Sequence, residues 1–499
     1  MKHGRPVGDW VLLAAGLCVV LSGCGDGAGS VAAASSDIHV AATTPGPTPF
    51  VAFVQLEGNS LGGVTGIAFA IQPKPSSASK PVSVSYSVAA LQARGFFVAG
   101  SETVPVFGLY SGFANQVTIS LTFVDGSVQS MPLTLTTAPY TDPTGIYDHP
   151  TIVRPRAVGS SLGFDYFAIK SFLGSPVIVD TDGNIRWVLP ASAIAPWSRF
   201  QDNRFVIGDP NSSDFVLEEL DGSTTAVPLQ SQALRGFTHN IDAGKTGMVG
   251  EFATGTESDS TAAEFSTSGA VLETWDIAAL LSAYMQSQGD DPSAFVRPAV
   301  DWFHMNATTY DPSDNSLIVS SRENFVIKID YATGNIIWIL GDPTKYWYTF
   351  PSLRAKALRL TSGLYPVGQH AVSMTSDGLL MLFNDGLGSL NQPPEAAAGL
   401  TRTYSAVSAY AVDPVAMTAT ESWDFDYGQS LFSPVCSSAY ESAAKSILVD
   451  YAVANDELTA HLVGLNADHD VVFDIAYATT GCGTSWNAVP VPLDSLHFE

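Results

Sequence analysis

The chain has 499 residues, and 22 Lys and Arg stand against 48 Asp and Glu, a formal net charge of −26. Such an acidic chain has no general attraction for nucleic acid or anionic lipid, and an anionic substrate would need a locally basic pocket. The charge also serves solubility, while 46% hydrophobic and 10% aromatic residues provide for a large core in a chain longer than one ordinary domain.

Lys2 and Arg5 precede the apolar run "VLLAAGLCVVLSG", which is too short to span a bilayer and fits a secretory signal. It ends in "LSGC" (21–24), which resembles the bacterial lipobox. The expectation is a lipoprotein signal peptide over 1–23 with lipidation at Cys24; an ordinary cleaved signal is the other reading. Residues 24–45 are expected to be a flexible tether, since 25–37 are small and polar. Attachment to a membrane would then be through the lipid alone.

Residues 46–140 are expected to form a small β-sandwich. "VSVSYSV", "VPVFGLY" and "QVTISLTFV" are short β-branched runs separated by turn residues. "TTAPYTDPTGIYDHP" (136–150) is dense in Pro and Gly and marks a boundary.

From 148 to 499 the chain repeats a hairpin. It occurs at 176–189, 214–229, 262–277, 325–340, 407–425 and 461–475, several ending in tryptophan: Trp187, Trp275, Trp338 and Trp423. Another strand pair precedes most of these hairpins. Two plus two strands make a propeller blade, so the fold class is all-β, a six-bladed β-propeller after the N-terminal sandwich. Two stretches depart from it. "DIAALLSAYMQSQG" (276–289) predicts a helix capped by Asp276, with Ile277, Leu280, Leu281 and Tyr284 on one face. "FPSLRAKALRL" (350–360) predicts a second, shorter one.

Three of the nine histidines fall at one repeat position. His239, His304 and His370 each head the first strand of a blade. That strand lines the channel of a propeller, so three imidazoles converge on one axial spot. A lone histidine reads as a packed core or loop residue; three at equivalent positions read as a site. Arg322, in "IVSSREN", is out of place on a channel-side strand end unless it meets an anion. His39, His149, His469 and His497 lie in polar or terminal surroundings, and His461 reads as structural.

Of the four cysteines, Cys18 leaves with the signal and Cys24 takes lipid, so Cys436 and Cys482 remain as a disulfide pair in an oxidising compartment. Two competing readings stay open. Three histidines can bind catalytic zinc, as in a metal hydrolase; an adjacent Arg322 and the lack of an evident carboxylate behind the histidines speak against it. A propeller can also be a non-catalytic binding scaffold on the cell envelope.

The chain resembles the bacterial aryl-sulfate sulfotransferases, or arylsulfotransferases, over most of its mature length. "DWFHMNATTYDPSDNSLIVSSRENFVIKID" (301–330) is close to a long family signature. "GQHAVSMTSDGLLMLFNDG" (368–386) is similar to the segment bearing the family's nucleophile, "TRTYSAVSAYAVD" (401–413) to the strand after it, and "VPVFGLY" (104–110) to part of its N-terminal sandwich. The resemblance implies a six-bladed propeller in the periplasm or cell envelope. It implies transfer of a sulfuryl group from a phenolic sulfate ester to a phenol acceptor, by a ping-pong route through a sulfohistidine. No cofactor is implied and no nucleotide donor, so the reaction is PAPS-independent. His370 falls on the nucleophile, His304 and Arg322 on pocket positions of the signature, and His239 on the third histidine. A homodimer is compatible with it. One departure stands out: some relatives carry a close cysteine pair before the nucleophile, and 343–369 contains none.

Overall fold

The computed structural model of the protein describes residues 37–98, 100–174, 176–190, 195–254 and 260–499. The signal peptide expected over 1–23 and the expected lipidation site Cys24 lie outside the described residues. Among the described residues, no helix is long and apolar enough to cross a membrane.

The N-terminal unit is a sandwich of two sheets. One contains His39–Pro45, Val51–Glu57, Ser101–Phe107 and Phe97–Val98; the other is built on Val82–Ser87, Val64–Ile71, Ala114–Phe123 and Val128–Thr136. Alternation along the strands puts Val54, Leu56, Val104 and Val106 on one inner face and Ile67, Phe69, Val84 and Ile119 on the other, all buried. The tether expected over 24–45 is therefore strand from His39 onward, because His39–Pro45 pairs antiparallel with Val51–Glu57. The second sheet also gains a strand from far along the chain: Leu496–Phe498 pairs parallel with Val82–Ser87. Residues 496–498 thus extend the sandwich sheet rather than a blade. Phe498 stacks on Tyr86 with ring centroids 4.8 Å apart.

Among the described residues, six further sheets follow in succession, each with four antiparallel strands, and two of them carry a fifth at the edge. Their inner strands are Asn487–Pro490, Ser198–Gln201, Phe237–Ala243, Met305–Asp311, Gln369–Met374 and Ser438–Glu441. From Ser198–Gln201 round to Asn487–Pro490, each inner strand packs against the next, the arrangement of a propeller. The six hairpins read from the sequence supply the outer two strands of the six blades, except that Arg359–Ser362 and Thr151–Arg154 add outermost strands to the fifth and sixth. The first blade is closed by Asn487–Pro490 pairing with Tyr166–Lys170.

The recurring tryptophans have a physical role. Trp187 donates its indole N–H to Leu220 O at 2.9 Å, and Trp275 to Tyr331 O at 3.0 Å. Each ties the outer strand of one blade to a turn of the next, which pairs apolar burial with a satisfied polar tip.

The helix Ile277–Ser287 begins where expected, with the Asp276 carboxylate accepting from Ala279 N at 2.9 Å. Ile277, Ala278, Leu281 and Met285 are its buried residues, and Leu280 and Tyr284 pack at the margin. The second helix is shorter than expected. Pro351–Arg354 makes one turn, and the chain then becomes the edge strand Arg359–Ser362, so strand pairing to Thr418–Phe425 wins over local helical pattern.

Cys436 and Cys482 are disulfide-bonded, with Cα atoms 6.3 Å apart. The bridge lies in the sixth blade, against Val435, Ala452, Val453 and Trp486. Thiol titration of the unfolded, unreduced protein should find neither cysteine free. Cys482→Ser should lower unfolding stability by about 2–4 kcal/mol, because the bridge closes a long loop in the unfolded chain. Two free thiols, or an unchanged unfolding midpoint, would count against that role.

Candidate active site

The three histidine-bearing inner strands share a backbone irregularity. Pairing to the neighbouring strand slips between Phe237 and Ile241, between Met305 and Ala307, and between His370 and Ser373. A bulge of this kind turns a side chain away from the regular ladder. Each slip falls at or next to a histidine of the site. His304 itself has φ of +48°, and Ala371, next to His370, has φ of +50°. A non-glycine residue in this left-handed region costs roughly 1–2 kcal/mol, which the surrounding hydrogen bonds must offset. For His304, one of them is Arg322 N–H donating to His304 O at 3.0 Å.

His239 and His304 meet directly. Their Nε2 atoms are 3.0 Å apart and their rings lie edge to face, with centroids 4.6 Å apart. The Asp301 carboxylate rests against Nδ1 of His304. Trp486 donates its indole N–H to His239 O at 3.3 Å, with the two rings 5.5 Å apart. Burial, then the charges of His304 and His370, push the His239 imidazole well below its usual value, so it is neutral at neutral pH.

His370 is 6% exposed. Its Nδ1 lies 3.0 Å from Gly368 O and 3.1 Å from Asp385 Oδ1. Both partners are acceptors, so Nδ1 carries the hydrogen and the lone pair of the neutral ring sits on Nε2. Gly368 has φ of +59°, and a Cβ there would come within 3.1 Å of the Asp385 side chain and 2.8 Å of Leu387 O. Glycine is required for Asp385 to reach the imidazole. Burial raises the Asp385 carboxyl, and His370, Arg322 and His304 oppose the rise.

Arg322 is 2% exposed and does meet anions, but those in place are the protein's own. It donates from Nη1 to Glu323 Oε1 at 3.0 Å and from Nη2 to Pro434 O at 3.3 Å, and its Nε is 3.6 Å from Asp385 Oδ2. Glu323 is held in turn by the backbone N–H groups of Leu390 and Asn391, at 2.7 and 2.8 Å. The fourth and fifth blades are stitched together behind the histidines: Asn306 Nδ2 donates to Gln369 O at 2.8 Å, and Gln369 donates to Ser321 O.

The structure therefore brings His239, His304, His370 and Arg322 into one linked group on the blade entries. His461 is elsewhere, 3.0 Å from Asp474 Oδ1 inside the sixth blade, as a structural residue should be. Asp301, Asp385, Glu323 and Trp486 were not picked out from the sequence. Two of them correct an expectation: carboxylates do stand behind the histidines, Asp301 at His304 and Asp385 at His370. Among the described residues, no group of three or more His, Cys, Asp or Glu side chains is arranged to hold a metal ion.

This geometry offers a nucleophilic nitrogen backed by a carboxylate, a guanidinium beside it, and an adjacent imidazole pair that can exchange a proton.

Comparison with known proteins agrees with the family resemblance. The family described as Arylsulfotransferase (ASST) matches residues 151–485, and the Arylsulfotransferase Ig-like domain matches residues 46–138. Arylsulfate sulfotransferase AssT of Escherichia coli O6:H1 is 31% identical over 163 residues, covering 28% of this chain and 26% of that protein. Arylsulfate sulfotransferase AssT of Lelliottia amnigena is 26% identical over 157 residues, covering 28% and 25%. The aligned stretch thus spans about a quarter of each curated relative. A solved Myceliophteria thermophila Cps50 (Swd1) β-propeller domain aligns with 65% of this chain and 88% of its own, at 13% identity and a TM-score of 0.35. With both of its domains matched, over more than half its length, the chain belongs to the arylsulfotransferase family.

Proposed function

We propose that the protein is a PAPS-independent aryl-sulfate sulfotransferase, which moves a sulfuryl group from a phenolic sulfate ester to a phenol through a sulfohistidine at His370. The observation that carries this reading is the His370 imidazole, whose Nδ1 is fixed by Asp385 and Gly368 O so that Nε2 holds the lone pair. In the first half-reaction, Nε2 forms a bond to sulfur as the bond from sulfur to the aryl oxygen breaks. The leaving phenolate takes a proton from the His239–His304 pair. The second half-reaction reverses these steps with a new phenol. Negative charge spread over the sulfuryl oxygens is met by Arg322, two of whose five donors are taken by Glu323 and Pro434 O. Burial of His370 and Asp385 keeps water from the covalent intermediate. The apolar run that ends in "LSGC" supports a cell-envelope location for this chemistry, with Cys24 as the point of lipid attachment.

The purified protein should release phenol from an aryl sulfate without any nucleotide, and faster when a second phenol is added. Activity that demands a nucleotide donor, or that a chelator removes, would overturn the reading. A protein inert toward every aryl sulfate would leave the envelope scaffold in its place.

A further inference from the structure

The six blade entries divide into two contiguous halves. On the third, fourth and fifth blades they carry His239, His304 and His370. On the sixth, first and second blades they carry Cys436, Trp486 and Trp197, each one or two residues before its inner strand. The second strands repeat the division. Arg322 and Asp385 follow those of the fourth and fifth blades, whereas Phe172 follows that of the first, Tyr166–Lys170. Trp486 N–H donates to Lys170 O at 2.8 Å. A tryptophan and a phenylalanine thus stand on the first blade where the fourth and fifth carry a histidine and a charged residue.

These apolar side chains make one wall. Phe172 meets Trp486 edge to face with ring centroids 4.9 Å apart, and meets Trp197 in the same way at 5.3 Å. The Cys436–Cys482 bridge and Val435 pack with Trp486. The wall abuts the reacting half on both sides. The Trp486 ring lies 5.5 Å from that of His239, and Pro434 O, one residue before Val435, accepts from Arg322 Nη2 at 3.3 Å. Trp486 and Phe172 are only partly buried, so aromatic surface stays accessible beside the histidines. Open aromatic surface next to convergent polar groups is the usual make-up of a site for a ligand that is itself part apolar.

We propose that the apolar half of the mouth is the aryl subsite, that Trp486 is its main wall, and that it holds the ring of the donor and the ring of the acceptor in turn. This rests on the sulfotransferase reading above. Displacement at sulfur is in line, so the oxygen that leaves and the oxygen that later attacks occupy the same position opposite His370 Nε2. One subsite therefore serves both rings. Edge-to-face and offset contacts with an indole and a phenyl ring recognise an aromatic face and ask little of its substituents. The subsite accordingly selects phenols as a class over aliphatic alcohols.

Trp486→Leu keeps an apolar side chain but removes the flat ring. The KM for phenyl sulfate and the KM for the acceptor phenol should each rise roughly tenfold. The inhibition constant of methyl sulfate, which has the sulfuryl group and no ring, should move by less than about twofold. Unchanged KM values would overturn the proposal, and so would an equal rise for methyl sulfate, the mark of general damage to the site. A rise for the donor alone would overturn the shared subsite. Trp486 also donates to His239 O, so Phe172→Leu is the second variant. It thins the same wall, leaves that bond in place, and should give the same pattern; it also carries the comparison if Trp486→Leu does not fold. A wild-type protein that transfers from no aryl sulfate overturns the sulfotransferase reading itself. The subsite is then read by titration with 4-nitrophenol, whose Kd should still rise roughly tenfold in Trp486→Leu, and an equal Kd overturns the subsite as well.

Discussion

His370→Asn should abolish sulfuryl transfer, with a fall on the order of 10⁴-fold or more, in a protein that still folds. Asparagine keeps a planar side chain and a polar group near Gly368 O, but it has no nitrogen lone pair to attack sulfur. Without the covalent route, donor and acceptor would have to react directly in a site arranged for two separate displacements. The decisive measurement is mass. Wild-type protein given donor without acceptor should gain one sulfuryl group, and peptide mapping should place it on His370. Mass gained on His239 or His304, or by the His370→Asn variant, would assign the nucleophile elsewhere and leave the family membership intact.

Arg322 should show the second largest effect, and two substitutions separate its two roles. Arg322→Lys keeps a positive charge between Glu323 and Asp385, but a lysine is a point charge without a planar fork. It cannot serve Glu323, Pro434 O and a sulfuryl oxygen together. Its kcat/KM should fall roughly 10²–10³-fold, the loss expected for one donor to developing charge. Arg322→Met removes the charge and leaves Glu323 and Asp385 buried without it. Breaking a buried pair in this way costs about 3–5 kcal/mol, so the thermal midpoint should drop as well. Arg322→Lys with full activity would show that the guanidinium serves the carboxylates alone.

What the sequence made legible was local. Each outer hairpin is an alternation of apolar residues around a turn, and such a pattern identifies strands without knowing what they pack against. The equivalence of His239, His304 and His370 followed from counting strands from those hairpins. The partners are harder to read, for different reasons. Asp301 is only three residues before His304, but the left-handed turn that brings its carboxylate round to Nδ1 has no sequence signal apart from the irregular backbone itself. Asp385 was within reach: His370 pairs with Phe383, so Asp385, two residues further on, lies on the same face diagonal to His370, and a hairpin register predicts the contact. Trp486 was not, because 247 positions separate it from His239 and only ring closure joins them. The segment 350–360 misled because helical spacing was weighed without the edge of the fifth blade, which recruits Arg359–Ser362. The strand Leu496–Phe498 crosses between domains, and nothing in a three-residue pattern names its partner.

The two strands at 487–490 and 496–498 follow every other strand of the described chain, yet one completes the first blade and the other completes the sandwich sheet. Both domains are thus unfinished until this stretch arrives, however early their other strands have formed. Contacts between such distant residues slow folding, since the loop they close must be ordered before they are rewarded. A chain emerging from its N-terminus would hold an open ring and an exposed sheet edge until residues 487–498 arrive. During that interval the edge beside Val82–Ser87 is a place where a second chain can pair. Assembly of this protein is accordingly governed by residues 487–498, and the time spent waiting for them is the time in which it is most exposed to aggregation.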